Sequence, residues 1–169
     1  MSGDGRAGVL VIGIGNPDRG DDGVGPAVAS CLRERLPSEV RLFECNGDVL
    51  DLIEEWAGFA TALLIDATAP GGRAGRIQRL DLIGQPLHAD FARNSTHAFG
   101  LAETVELARS LNRLPRQLVV YLVEGERFDI GTPLSPAVAE AVNRVAESIL
   151  AELSEIFAAS RPSGAPDHA

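Results

Sequence analysis

The chain has 169 residues, of which 45% are apolar, and a formal net charge of −9. That size suits one domain burying roughly two-thirds of its unfolded surface and rules out disorder throughout. The acidic balance, without a Lys/Arg cluster, argues against nucleic-acid and membrane partners, because phosphates are bound by concentrated cations. Arg73, Arg76 and Arg79 are spread around an expected edge strand and read as solvated charge.

No apolar run approaches the ~20 residues of a membrane helix. MSGDGRAG lacks the apolar core of a signal peptide and leads straight into a strand. The expectation is a cytoplasmic, monomeric protein. Cys31 and Cys45 are the two cysteines; they form no CxxC or zinc spacing and are expected as reduced thiols.

In chain order, residues 1–7 read as a frayed leader, and Val9 to Ile14 is a strand covered on both faces, since its apolar residues do not alternate. Gly13-Ile14-Gly15-Asn16 turns the chain into a loop bearing Asp18, Asp21 and Asp22. A helix opens near Val24 to Pro26, with Val24, Val28, Leu32 and Leu36 on one face before Pro37. Val40 to Cys45 is the second strand, with Val40, Leu42 and Phe43 as core. Asp48 is placed to cap a short helix carrying Leu50, Ile53 and Trp56. Thr61 to Ile65 is a third strand ending at Asp66, and Arg76 to Leu82 is the edge strand, where charge discourages edge pairing.

Residues 83–96 have no periodicity and read as a long loop, a length that tends to serve function. A helix follows His97, with Leu101, Val105, Ala108 and Leu111 on one face. Gln117 to Val123 is the fifth strand, closing at Glu124. Ser135-Pro136 starts a long helix striped by Val138, Val142, Val145, Ile149, Leu153 and Ile156. The expected fold is a three-layer α/β/α sandwich around a mostly parallel, twisted five-stranded sheet, with an edge strand free to run antiparallel. One domain spans residues 1–158, and residues 159–169 form a disordered tail.

Ligands of open parallel sheets bind beyond the carboxyl ends of the strands. That rule selects Asn16, the Asp18/Asp21/Asp22 group, Asn46, Asp48, Asp66 and Glu124, joined by His97 if its loop folds back over the same edge. Gly13 and Gly15, with Glu44 ending the next strand, have a dinucleotide-binding reading. Against it, the third glycine position is Asp18, and Asp21 and Asp22 occupy the place of the pyrophosphate. Two like charges about 4 Å apart repel by roughly 1 kcal/mol even in water.

A metal site suits the same residues better: Asp22, Asp66 and His97 would give two hard oxygens and one imidazole, a set for a divalent first-row ion. Each also has a plainer role, Asp22 at a helix dipole, Asp66 capping a turn, and Ser95-Thr96-His97 as a helix cap. A cysteine-protease reading would pair Cys45 with His97, though nothing nearby marks the thiol as activated. No G-x-S-x-G occurs. His88 and His168 read as loop and tail residues.

With these residues in place, the chain resembles the hydrogenase maturation endopeptidases, which process the large subunit of nickel-iron hydrogenases. The resemblance covers residues 8–150 and rests on GIGNPDRGDDGVG at 13–25, LLIDAT at 63–68, STHAFGLAE at 95–103, and VYLVEGERF followed by LSPAV at 134–138. It implies an α/β sandwich that recognises nickel already installed in a hydrogenase large-subunit precursor and removes its C-terminal extension after a His or Arg. It further implies that Asp22, Asp66 and His97 contact that nickel, so the metal arrives with the substrate. Many relatives carry Glu at the first of these positions, one methylene longer than Asp22. A frequent Asp-Gly-Gly-Thr after the second strand is here Asn46-Gly47-Asp48-Val49, a departure that touches the choice of substrate. Two alternatives stay open beside the protease: a non-catalytic nickel-checking protein, and a nucleotide-binding enzyme.

Overall fold

The computed structural model describes residues 7–84 and 100–161. Its strands are β1 (Val9–Ile14), β2 (Val40–Cys45), β3 (Thr61–Thr68), β4 (Ile77–Asp81) and β5 (Gln117–Glu124). The helices are α1 (Val24–Leu32), entered through a 3-10 turn at Gly20–Gly23, then α2 (Val49–Trp56), α3 (Leu101–Ser110) and α4 (Pro136–Ser160). The sheet order is β2-β1-β3-β5-β4; every pairing is parallel except β4 with β5. The mostly parallel sandwich is therefore the fold, with its antiparallel strand at the edge.

Strand periodicity divides the core into two layers. Val9, Val11, Leu63, Ile65, Val119, Tyr121 and Val123 face α1 and α4. Leu10, Ile12, Leu64, Leu118, Val120 and Leu122 face α2 and α3, with Trp56 fully buried among them. Alternate residues of one strand point to opposite faces, so a strand apolar at every position needs helices on both sides. β1, β3 and β5 meet that demand along their central apolar runs, Val9–Ile12, Ala62–Ile65 and Leu118–Val123.

Several boundaries differ from the sequence expectation. Helix α1 stops at Leu32, and Leu36 follows in a turn whose amide donates to the Leu32 carbonyl. β2 is itself an edge strand, which leaves Leu42 and Phe43 only half-buried. β3 runs past Asp66 to Thr68, because β5 continues beside it as far as Glu124. Leu111 follows the last residue of α3 and is exposed rather than on its buried face. α4 continues through Ser160, two residues into the stretch expected as tail.

Arg79 is not free solvated charge. It grips Glu152 of α4 through Nε at 3.1 Å and a second nitrogen at 2.5 Å, and Glu152 also accepts from the Tyr121 hydroxyl. Burial works to raise the Glu152 carboxyl, but the bonds from Arg79 and Tyr121 outweigh it and hold it below its ordinary range. This pair pins α4 to the β4–β5 edge. Residues 1–6, 85–99 and 162–169 lie outside the described residues, and with them most of the expected leader, of the expected loop at 83–96 and of the expected tail.

Candidate active site at the sheet crevice

Chain connections leave β1 toward β2 on one side and reach β3 on the other, so the strand order reverses between β1 and β3. α1 covers one face and α2 the other. At such a reversal the connecting loops part and leave a crevice at the carboxyl ends of the strands. Asp22 follows β1 at this point, and Asp66 stands within β3 one position beyond the residue that pairs with Gly13.

The glycines there serve helix packing. A Cβ on Gly13 would lie 2.5 Å from the Gly25 carbonyl oxygen, and one on Gly25 would lie 2.2 Å from that of Ile14. Gly15 has φ +140°, and its Cβ would meet the Asp22 carbonyl oxygen at 1.8 Å. The first turn of α1 is thereby pressed onto β1. The amides that a phosphate would need are also spent: Gly15 donates to the Cys45 carbonyl at 2.9 Å and Asn16 to Asp22 Oδ2 at 2.8 Å. Among the described residues the glycine loop is thus no phosphate cradle, which removes the main support for nucleotide binding.

Asp21 and Asp22 are adjacent and do different things. Asp21 is fully buried, and its carboxylate accepts from the amides of Glu126, Arg127 and Ser135 and from Ser135 Oγ, at 2.7 to 3.0 Å. Burial would raise its carboxyl; the backbone and hydroxyl donors reverse that and hold it lowered. Backbone bonds extend the clasp, from Gly20 to Thr132, from Asp21 to Arg127, and from Gly131 to Asp18. These bonds tie the β1–α1 loop to the β5–α4 loop. Asp22, 8% exposed, turns toward the crevice.

The crevice holds a cavity of about 360 Å³ lined by Asn16, Arg19, Asp22, Asn46, Ala69, Pro70 and Phe128. Ala69 and Pro70 continue the chain just after β3. Asp66 is buried, and β1 pairs with β3 only as far as Gly13 against Ile65, so β5 alone flanks the last residues of β3. One Asp66 oxygen accepts from the Ala67 amide at 2.8 Å. A larger cavity, about 730 Å³, lies at the opposite end of the sheet near Thr61 and Gln117. Arg79 and Glu152 in its wall are spent on each other, and the crevice rule places chemistry at the other end.

Of the remaining cleft candidates, Asp48 caps α2, its side chain accepting from Leu50 and Asp51. Glu124 holds the β3–β4 loop through the amides of Gly71 and Arg73 at 2.6 and 2.7 Å. Asp18 is exposed, its amide donating to Asn16. Both cysteines are free. Burial, reinforced by nearby carboxylates, pushes the Cys45 thiol up to about 11, the reverse of an activated nucleophile. His97 lies outside the described residues, as do His88 and His168; among the described residues no three His, Cys, Asp or Glu side chains form a metal-holding group. No helix among them is long and apolar enough to cross a membrane.

Sequence reasoning did not single out Arg19 or Phe128. Both lie inside motifs already noted, GIGNPDRGDDGVG and VYLVEGERF, but neither is a usual ligand or catalytic base, so residue type alone passed them over.

A family model described as hydrogenase maturation protease matches residues 26–152. The Hydrogenase 2 maturation protease of Escherichia coli (strain K12) is 25% identical over 150 residues, covering 87% of this chain and 91% of that protein. The hydrogenase expression/formation protein HupD of Thiocapsa roseopersicina is 26% identical over 156 residues, covering 90% and 71%. Among solved structures, the hydrogenase maturating endopeptidase HybD from E. coli superimposes with a TM-score of 0.72 at 23% identity, over 88% of this chain and 93% of that one. A NiFe hydrogenase maturation protease HybD from Thermococcus kodakarensis gives 0.67 at 22% identity, over 86% and 98%. These two structures speak for the fold, and the family match, spanning most of the chain, speaks for the activity: the chain belongs to the hydrogenase maturation proteases and is a peptidase.

Proposed function

We propose that this peptidase removes the C-terminal extension of a nickel-loaded hydrogenase large-subunit precursor, with the substrate's nickel as the recognition element. The observation that carries the reading is Asp22, held by the Asn16 amide and lining the cavity at the strand-order reversal. Asp66 stands in the neighbouring strand at the same end. His97 precedes by three positions Gly100, which opens α3 on the same face of the sheet as Leu64 and Leu122. Two carboxylates and an imidazole are suited to a borderline divalent ion such as nickel.

Gripping the metal would fix the scissile peptide in the cavity, and placement of reacting groups alone is worth several orders of magnitude in rate. With the Cys45 thiol held protonated, attack falls to water, activated by a cleft carboxylate or by the metal that the substrate brings. Precursor without nickel would lack the anchor, so maturation would be checked before the cut. On this reading the protein acts in the cytoplasm.

The test is to incubate the protein with nickel-loaded and nickel-free precursor and follow C-terminal mass loss. Loss from the loaded form alone supports the reading. Metal-dependent binding without mass change would instead make the chain a nickel checker, and equal cutting of both forms would remove nickel from the recognition.

A further inference from the structure

Resting on the processing reading above, we propose that Arg19 determines specificity in this cavity by taking a carboxylate carried by the peptide substrate. Its backbone is fixed on both sides. The Arg19 amide donates to the Asn16 carbonyl, its own carbonyl accepts from the Asp22 amide, and the next two residues are tied to Thr132 and Arg127. The side chain therefore leaves from a rigid point, is exposed, and forms part of the cavity wall beside Asp22.

Arg33, Arg35, Arg41, Arg79 and Arg109 each pair with a glutamate. Among the described residues Arg19 pairs with no carboxylate, in a chain with 24 acidic side chains and a net charge of −9. It is also the single cation in the cavity wall, where Asn16 and Asn46 contribute neutral amides. An anion approaching Asp22 would be repelled without a cation there. Arg19 supplies one, with a planar donor fork that matches a carboxylate in two parallel bonds. Substrate covering the cavity would exclude water and strengthen the pair beyond the small worth of an exposed one.

The carboxylate has two sources, an acidic side chain near the cut or the terminal carboxylate of the extension. The test measures processing of nickel-loaded precursor by wild type, Arg19→Gln and Arg19→Lys. Three precursors are used: the natural one, one with Asp and Glu near the cut changed to Asn and Gln, and one with a short Gly-Ser stretch added after its last residue. Arg19→Gln should raise KM ~10-fold on the natural precursor with little change in kcat, as expected for losing a charge-assisted bond made in the bound state. Arg19→Lys should recover part of the loss.

One altered precursor should show the same rise with wild type and no further rise with Arg19→Gln, which identifies the source. An unchanged KM for Arg19→Gln, or losses that simply add, would overturn the role of Arg19 and leave the processing reading standing. If wild type cuts no precursor, the processing reading falls and the role of Arg19 falls with it.

Discussion

Across 114 positions of sequence, the Asp21 carboxylate takes two hydrogen bonds from Ser135, one from the amide at 2.7 Å and one from Oγ at 2.9 Å. A buried carboxylate is costly unless fully paired, and here the amides of Glu126 and Arg127 complete the set. Removing it strands those donors around a fully buried position. Asp21→Ala is expected to cost roughly 3–5 kcal/mol, lowering the melting temperature by about 10 °C. Asp21→Asn keeps one acceptor and should lose less than half as much. Thermal melts of the three proteins side by side check the order.

The same carboxylate sets an acid limit. Its folded pKa is lowered, so its stabilisation is fully present above the unfolded carboxylate value of about 4 and is lost as pH falls through the folded one. Wild type should therefore be markedly more stable than Asp21→Asn near pH 6, with a smaller gap near pH 3. Urea midpoints at both pH values measure it; a gap that widens in acid would contradict the assignment.

Glycine positions separate steric demand from backbone demand. Gly15 and Gly72 both have positive φ, but only Gly15 has a neighbour within reach of an added Cβ. Gly72→Ala should cost about 1 kcal/mol, the ordinary penalty of the left-handed region. Gly15→Ala must also push the Asp22 backbone away and should cost ~4 kcal/mol or more. It should abolish cleavage before it abolishes folding, because the displaced residue lines the cavity. Activity and melting temperature measured together on both variants decide this.

The fold was legible because β1, β3 and β5 each carry an unbroken apolar run without alternation and the intervening segments carry helical spacing. What the pattern could not show is which edges stay open: β2 reads as a core strand, yet it lies outermost. Strand ends and motif pointed to this end of the sheet, where Asn16 and Asp22 line the cavity. Asp21, Asp48 and Glu124 share the residue type and the place in the sequence but are consumed by backbone amides, a distinction that needs tertiary geometry. Arg19 was passed over because arginine is neither a usual ligand nor a catalytic base, and its place in the cavity wall shows only in the fold.

Cys45 offers a clean separation of mechanisms. With its thiol pushed up to about 11, the reactive thiolate at pH 8 is roughly one part in a thousand. Alkylation should be far slower than for an unperturbed cysteine, and Cys45→Ala should cleave precursor at close to the wild-type rate. A variant that stays folded and stops cutting would restore the thiol to the mechanism.

Asp22 carries the heaviest functional demand. Its Oδ2 already accepts the Asn16 amide, so Asp22→Asn can keep that contact through its remaining oxygen while losing the negative charge. The melting temperature should shift little, whereas cleavage of nickel-loaded precursor should fall roughly 100-fold or more, the scale of a lost charge contact at a reacting centre. His97→Ala should lose cleavage in the same way if the imidazole completes the set. The two variants should not be additive, because a metal grip with one member gone has already failed. Binding of nickel-loaded precursor separates the cause: both variants should bind it more weakly than wild type, and all three should bind the nickel-free form alike. Full activity in Asp22→Asn would remove this carboxylate from the site and leave the cavity without its acidic residue.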